Sequence, residues 1–155
     1  GRMTNHTAWP DALLPAARDE VARLLEEFWR ELASLPDFLS RGEYLLAAAC
    51  TGELHRIVLR MMLALNGIAY PSGTRYLNGY LSASQRAAIE KTLILPAVDA
   101  ESLIGQAVAL IVIYRWYAPQ LTAVYAAPAA DALERETLAL LSERLPDWPL
   151  AITTD

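Results

Sequence analysis

The stretch that decides the fold is residues 44–66, YLLAAACTGELHRIVLRMMLALN. Its positions 44, 48, 51, 55, 59, 62 and 66 advance by three or four residues, so Tyr44, Ala48, Thr51, His55, Leu59, Met62 and Asn66 share one stripe of a helix. Gly67 follows as a natural helix stop. The same spacing recurs on both sides, carried mostly by Ala and Leu, which favour helix. It predicts a first helix over residues 11–34, capped by Asp11 and ended by Pro36. The second helix spans residue 37 or 41 to 66, with Gly42 and Gly52 marking close packing. A helical turn is expected at 76–81, then a short amphipathic helix at 84–93 capped by Ser82 or Ser84. A long apolar helix at 99–126, kinked at Pro119, is expected at the centre of the molecule. The last helix covers 129–145. The expected fold is therefore all-α: an up-and-down bundle of four long helices plus one short one.

Composition bounds what such a bundle can do. The chain has 155 residues, a length suited to one domain, expected over 1–155 with irregular tails at 1–8 and 146–155, where Trp148 can dock. Hydrophobic residues make up 54% and charged residues 20%, so apolar surface is left over for a partner, a homodimer among the candidates. A net charge of −5 argues against general nucleic-acid binding. The single cysteine, Cys50, excludes an internal disulfide and lies in an apolar run, as a buried thiol would. The strongest apolar run, 107–114, is short for a membrane span, and the polar start carries no secretory signal, so a cytoplasmic location is expected. Gly1-Arg2 ahead of Met3 reads as an expression scar, with Met3 either a native start or an internal residue of a longer protein.

Chemistry-bearing residues gather at the end of the second helix. His55, Arg56 and Arg60 lie on it, Asn66 ends it, and the loop beyond delivers Tyr70, Arg75 and Tyr76. Guanidinium groups bind carboxylate or phosphate in a two-pronged fashion, so this set is the expected substrate-binding site for an anionic or hydroxyl-rich ligand. The competing reading is a solvated Glu53–Arg56 helix pair, a half-buried His55, and tyrosines that pack. No catalytic residue and no metal site are expected. The two histidines, His6 and His55, form no HExxH motif, and no glycine-rich phosphate loop or nucleophile elbow occurs.

The order Leu65-Asn66, Tyr70-Pro71, Arg75-Tyr76 resembles a pattern in helical substrate-binding domains that accompany nucleotidyltransferase catalytic domains. That group includes the kanamycin nucleotidyltransferase C-terminal type and shares a bundle fold with HEPN proteins. The resemblance covers about a quarter of the chain and carries over to Asn66, Tyr70, Arg75 and Tyr76. Relatives often have Lys-Trp where this chain has Arg75-Tyr76. It implies a non-catalytic domain that holds a small polar substrate for a catalytic domain supplied in cis or in trans. Magnesium and a nucleoside triphosphate are implied only for that partner, because this chain has no Gly-Ser-x(n)-Asp-x-Asp signature. The Arg-x(4–6)-His motif of HEPN ribonucleases is also missing. The alternatives are a helical dimeric interaction protein and a ligand-sensing domain without catalysis.

Overall fold

The structure is a computed structural model, and it describes residues 10–149. It is an all-α bundle of six helices, α1 (Arg18–Leu32), α2 (Leu35–Ser40), α3 (Tyr44–Leu65), α4 (Ala83–Lys91), α5 (Ala100–Tyr125) and α6 (Asp131–Arg144), with a 3-10 turn at Leu77–Tyr80. No strand occurs among the described residues.

The pattern of α1 is direct: Val21, Leu24, Leu25, Phe28, Trp29 and Leu32 are buried at helical spacing. Arg23–Glu27 and Arg30–Glu26 pair along its wet side. The helix begins at Arg18 rather than at residue 11. Pro15 restricts the residue before it to extended backbone, which keeps 11–14 out of the helix, and Asp11 takes a different role described below. Pro36 does not simply end α1; it sits in the first turn of α2, where its missing N–H costs nothing. Gly42, at φ 70°, then separates α2 from α3, so the expected second helix is two if started at 37, whereas the start at 41 lies within three residues of α3. Gly52 is exposed with open space around it, so it marks no close packing.

The helix at the centre is α3, not α5. α3 packs against α1, α2, α4 and α5, and it buries Ala47, Cys50, Leu54, Ile57, Val58, Leu59, Met61, Met62, Leu63 and Ala64. α5 is just as apolar, but only one side of it, through Leu103, Ala107, Leu110, Tyr114 and Leu121, reaches the core. Uniform apolarity therefore misplaced the centre: it cannot distinguish a helix wrapped by neighbours from one that leaves a greasy face outside. By length and composition α5 is also long enough to cross a bilayer, which the run 107–114 alone did not suggest. It runs unbroken through Pro119.

The main core cluster draws on all six helices and is closed by Leu145 and Trp148 beyond α6, with a second, smaller cluster of Leu63, Ile68 and Tyr80 at the end of α3. An aromatic trio lies within the main cluster. Phe28, Trp29 and Tyr114 meet with ring centroids 4.6–5.0 Å apart, two of the three contacts edge-on. The Tyr114 hydroxyl donates to the Leu25 carbonyl at 2.9 Å, and burial pushes its pKa up. Cys50 is buried and donates to the Glu31 carbonyl at 3.3 Å; burial pushes its thiol to about 12, so it is no nucleophile at neutral pH.

The end of α5 stores a little strain. Ala126 adopts left-handed backbone, φ 53° and ψ 37°, and its carbonyl accepts from Arg18 Nε at 3.0 Å. A Cβ in that region costs about 1 kcal/mol that glycine avoids. Replacing Ala126 by Gly is expected to raise the urea midpoint by an amount worth up to ~1 kcal/mol, since the glycine's extra unfolded-state entropy offsets part of the relief. A lowered midpoint would refute this account.

Candidate functional site

α3 ends in a hydrogen-bonded reversal. The Gly67 N–H donates to the Ala64 carbonyl and the Ile68 N–H to the Leu63 carbonyl, both at 2.9 Å, with Gly67 at φ 82°. This is a Schellman stop, and Ile68 packs with Leu63 as such stops favour. The chain then turns at 71–74, where the Thr74 N–H donates to the Pro71 carbonyl and Gly73 takes φ 70°.

Asn66 is placed by this stop and spent within the protein. Its Nδ2 donates to the Tyr80 carbonyl and to Gln85 Oε1, both at 2.9 Å, and its Oδ1 accepts from Gln85 Nε2 at 3.2 Å. Gln85 also closes the capping box of α4: the Ser82 N–H donates to Gln85 Oε1, and the Gln85 N–H donates to Ser82 Oγ. Asn66 thus staples the end of α3 to the start of α4 and shortens the span that the loop must cross.

A second staple holds the middle of the loop. Asp11 Oδ2 accepts from Thr74 Oγ1 and, at 2.6 Å, from the Tyr80 hydroxyl. Thr74 Oγ1 in turn accepts from the Tyr76 N–H at 3.1 Å. The two hydroxyls, Thr74 first and Tyr80 second, hold the Asp11 carboxyl below its usual 3.8. Burial, then Asp11, push the Tyr80 phenol up.

Between the staples lies an open groove of about 750 Å³, lined by Pro10, Tyr70, Thr74, Arg75, Tyr76, Leu77, Asn78, Gly79 and Tyr80. Three of the residues singled out in the sequence, Tyr70, Arg75 and Tyr76, meet there. Arg75 and Tyr76 are exposed, Tyr76 by 57%. Arg60 attends from behind, its guanidinium carbon 5.4 Å from the Tyr70 ring centroid. The arrangement offers one cation in the groove lining, Arg75, a second exposed cation beside it, Arg60, and aromatic faces and hydroxyls.

The other three residues do not join them. Arg56 pairs with Glu53 at 2.7 Å on the exposed side of α3, the solvated helix pair of the competing reading. His55 is half-buried, and its Nε2 finds no partner among the described residues. Burial and then the Arg56 cation hold its pKa below 6.5, so it is neutral at physiological pH. Asn66 works as the staple. Sequence reading missed Asp11, Thr74, Tyr80 and Gln85. Ser82-x-x-Gln85 is a legible capping-box signature, but nothing local in the sequence links Asp11 to residues more than sixty positions away.

Compared with protein-family models, curated proteins and solved structures, the chain matches none.

Because the folded pKa of Asp11 lies below its unfolded value, its contribution is complete above pH 3.8 and is lost as pH falls through the lower folded value. Acidification is therefore expected to release the loop before the bundle melts, and Asp11→Ala to release it at neutral pH. Limited proteolysis should then cut within 71–79 faster in the variant, with the far-ultraviolet helical signal unchanged. Equal cleavage of variant and wild type at pH 7 would show that Asp11 does not hold the loop.

Proposed function

We propose that this chain is a non-catalytic binding domain for a small polar ligand, and that it presents the ligand to a nucleotidyltransferase catalytic domain in cis or in trans. The observation that carries the binding reading is the convergence of Tyr70, Arg75 and Tyr76 in one open groove. Arg75 suits a carboxylate or phosphate, which its guanidinium grips with two parallel hydrogen bonds. The exposed Tyr76 ring and the Tyr70 ring suit a flat or hydroxyl-bearing body, and Arg60 over Tyr70 adds positive potential. The preferred ligand therefore combines an anionic or hydroxyl-rich part with a ring.

The catalytic half of the reading rests on the resemblance of Leu65-Asn66, Tyr70-Pro71 and Arg75-Tyr76 to nucleotidyltransferase-associated domains. In that reading a nucleotidyl group passes from a nucleoside triphosphate to a hydroxyl of the held ligand. Magnesium and the triphosphate belong to the partner, and this chain contributes position alone. Asn66 then matters by shaping the groove and not by touching ligand.

A thermal-shift screen against aminoglycosides, nucleotides, sugar phosphates and amino acids tests this, because a ligand of the folded state raises apparent stability. One class is expected to shift the transition. Arg75→Ala should weaken that ligand by about 2 kcal/mol, roughly thirtyfold, and Tyr76→Ala should weaken it as well. Arg56→Ala, outside the groove, should leave it unchanged. A shift that survives Arg75→Ala and Tyr76→Ala but disappears in Arg56→Ala would move the site to the side of α3.

A further inference from the structure

The groove carries a charge opposite to that of the chain as a whole. The chain has 18 Asp and Glu residues and a net charge of −5. No Asp or Glu stands among the described residues of the groove lining, and Arg75 is the charged residue there. Asp11 stays outside that lining, with its Oδ2 taken up by the Thr74 and Tyr80 hydroxyls. Glu53, on the exposed side of α3, is paired with Arg56. Elsewhere arginines meet acids: Arg23 meets Glu27, Arg30 meets Glu26 and Arg144 meets Asp37. Arg60, Arg75, Arg86, Lys91 and Arg135 enter no ion pair among the described residues. Two of these belong to this site, Arg75 in the lining and Arg60 against the Tyr70 ring.

Asn78 is the second unspent group. It lies in the 3-10 turn, lines the groove and is exposed. Its carbonyl accepts from the Leu81 N–H, but its side-chain amide makes no hydrogen bond among the described residues. Its φ is not positive either, since Ala126 alone among the described non-glycine residues has that conformation. The two usual structural reasons for an asparagine in a turn, a left-handed backbone and a bond to neighbouring main chain, are therefore both missing. Asn66 is the contrast, with both amide atoms spent in its staple.

These donors fit one anion better than another. A carboxylate has two oxygens, which the fork of one guanidinium satisfies; it leaves the Asn78 amide and the Arg60 charge unused. A phosphate monoester has three terminal oxygens and a charge of about −1.5 to −2 at pH 7. Two of its oxygens suit Arg75, the third suits the Asn78 N–H, and Arg60 answers the second negative charge. The Tyr70 and Tyr76 rings are left for the rest of the molecule, and a groove of about 750 Å³ has room for it.

We propose that the groove selects a phosphate monoester of a small ring-bearing molecule, a phosphorylated sugar or nucleoside, with Arg75 and the Asn78 amide on the phosphate oxygens. This rests on the binding function proposed above and narrows its ligand class.

Isothermal titration calorimetry at low salt tests it, comparing glucose 6-phosphate with glucuronate and adenosine 5′-monophosphate with adenosine. At least one ester is expected to bind, with its phosphate-free counterpart roughly tenfold weaker or more. Asn78→Ala should keep the helical circular-dichroism spectrum, weaken the ester about tenfold and leave the counterpart unchanged. Arg60→Gln should weaken the ester by an amount that shrinks as salt is added. A counterpart that binds as tightly as its ester overturns the phosphate assignment and leaves the binding function standing, as does an ester whose affinity neither variant changes. Failure of both esters to bind also overturns it; the thermal-shift screen then shows whether another ligand class fills the groove or the binding function falls as well.

Discussion

The enclosure of α3 is the constraint on which the other elements depend. A helix that buries residues on most sides can tilt or slide only by disturbing every neighbour at once, since interiors are packed as densely as crystals. α1, α2, α4 and α5 all take their positions against it. The aromatic contact of Phe28, Trp29 and Tyr114 then ties α1 to α5, with the Tyr114 hydroxyl satisfied by the Leu25 carbonyl. α6 closes the bundle against α1.

Because α3 is fixed, its C-terminal end is a fixed point from which a loop can be built. The Schellman stop at Gly67 sets the direction of departure. Asn66 then fixes the point of return by gripping Tyr80 and Gln85, and Asp11 fixes the middle through Thr74 and Tyr80. A loop held at its ends and its middle keeps a concave surface open without filling it with its own side chains. Arg75 and Tyr76 are among the residues left facing out, and that is the physical basis for placing binding there.

The groups that look reactive in the sequence are quiet in the folded chain. Cys50 is buried and held in its thiol form, and His55 is pressed toward its neutral form by burial and Arg56. The groove itself contains hydrogen-bond donors, aromatic faces and a cation. Such a set holds and orients a ligand, and the reading under which another domain supplies the chemistry uses it in that way.

Residues 44–66, with Gly67 after them, made a long helix and its stop legible, because helical periodicity and glycine's tolerance of positive φ are local properties. The same holds for α1, for the Ser82-x-x-Gln85 cap and for the Asp99 cap of α5, where Asp99 Oδ1 accepts from the Ser102 N–H at 2.8 Å. The grouping of Tyr70, Arg75 and Tyr76 was legible too, because they lie within seven residues on one loop. Tertiary structure alone decided that α3 and not α5 lies at the centre, since both are apolar and only their neighbours differ. It alone separated Asn66, His55 and Arg56 from the groove, because a side chain's job depends on which donors and acceptors other segments bring within about 3 Å. Asp11 shows the limit most plainly: read locally it is a helix cap, and only the folded chain brings it to Thr74 and Tyr80.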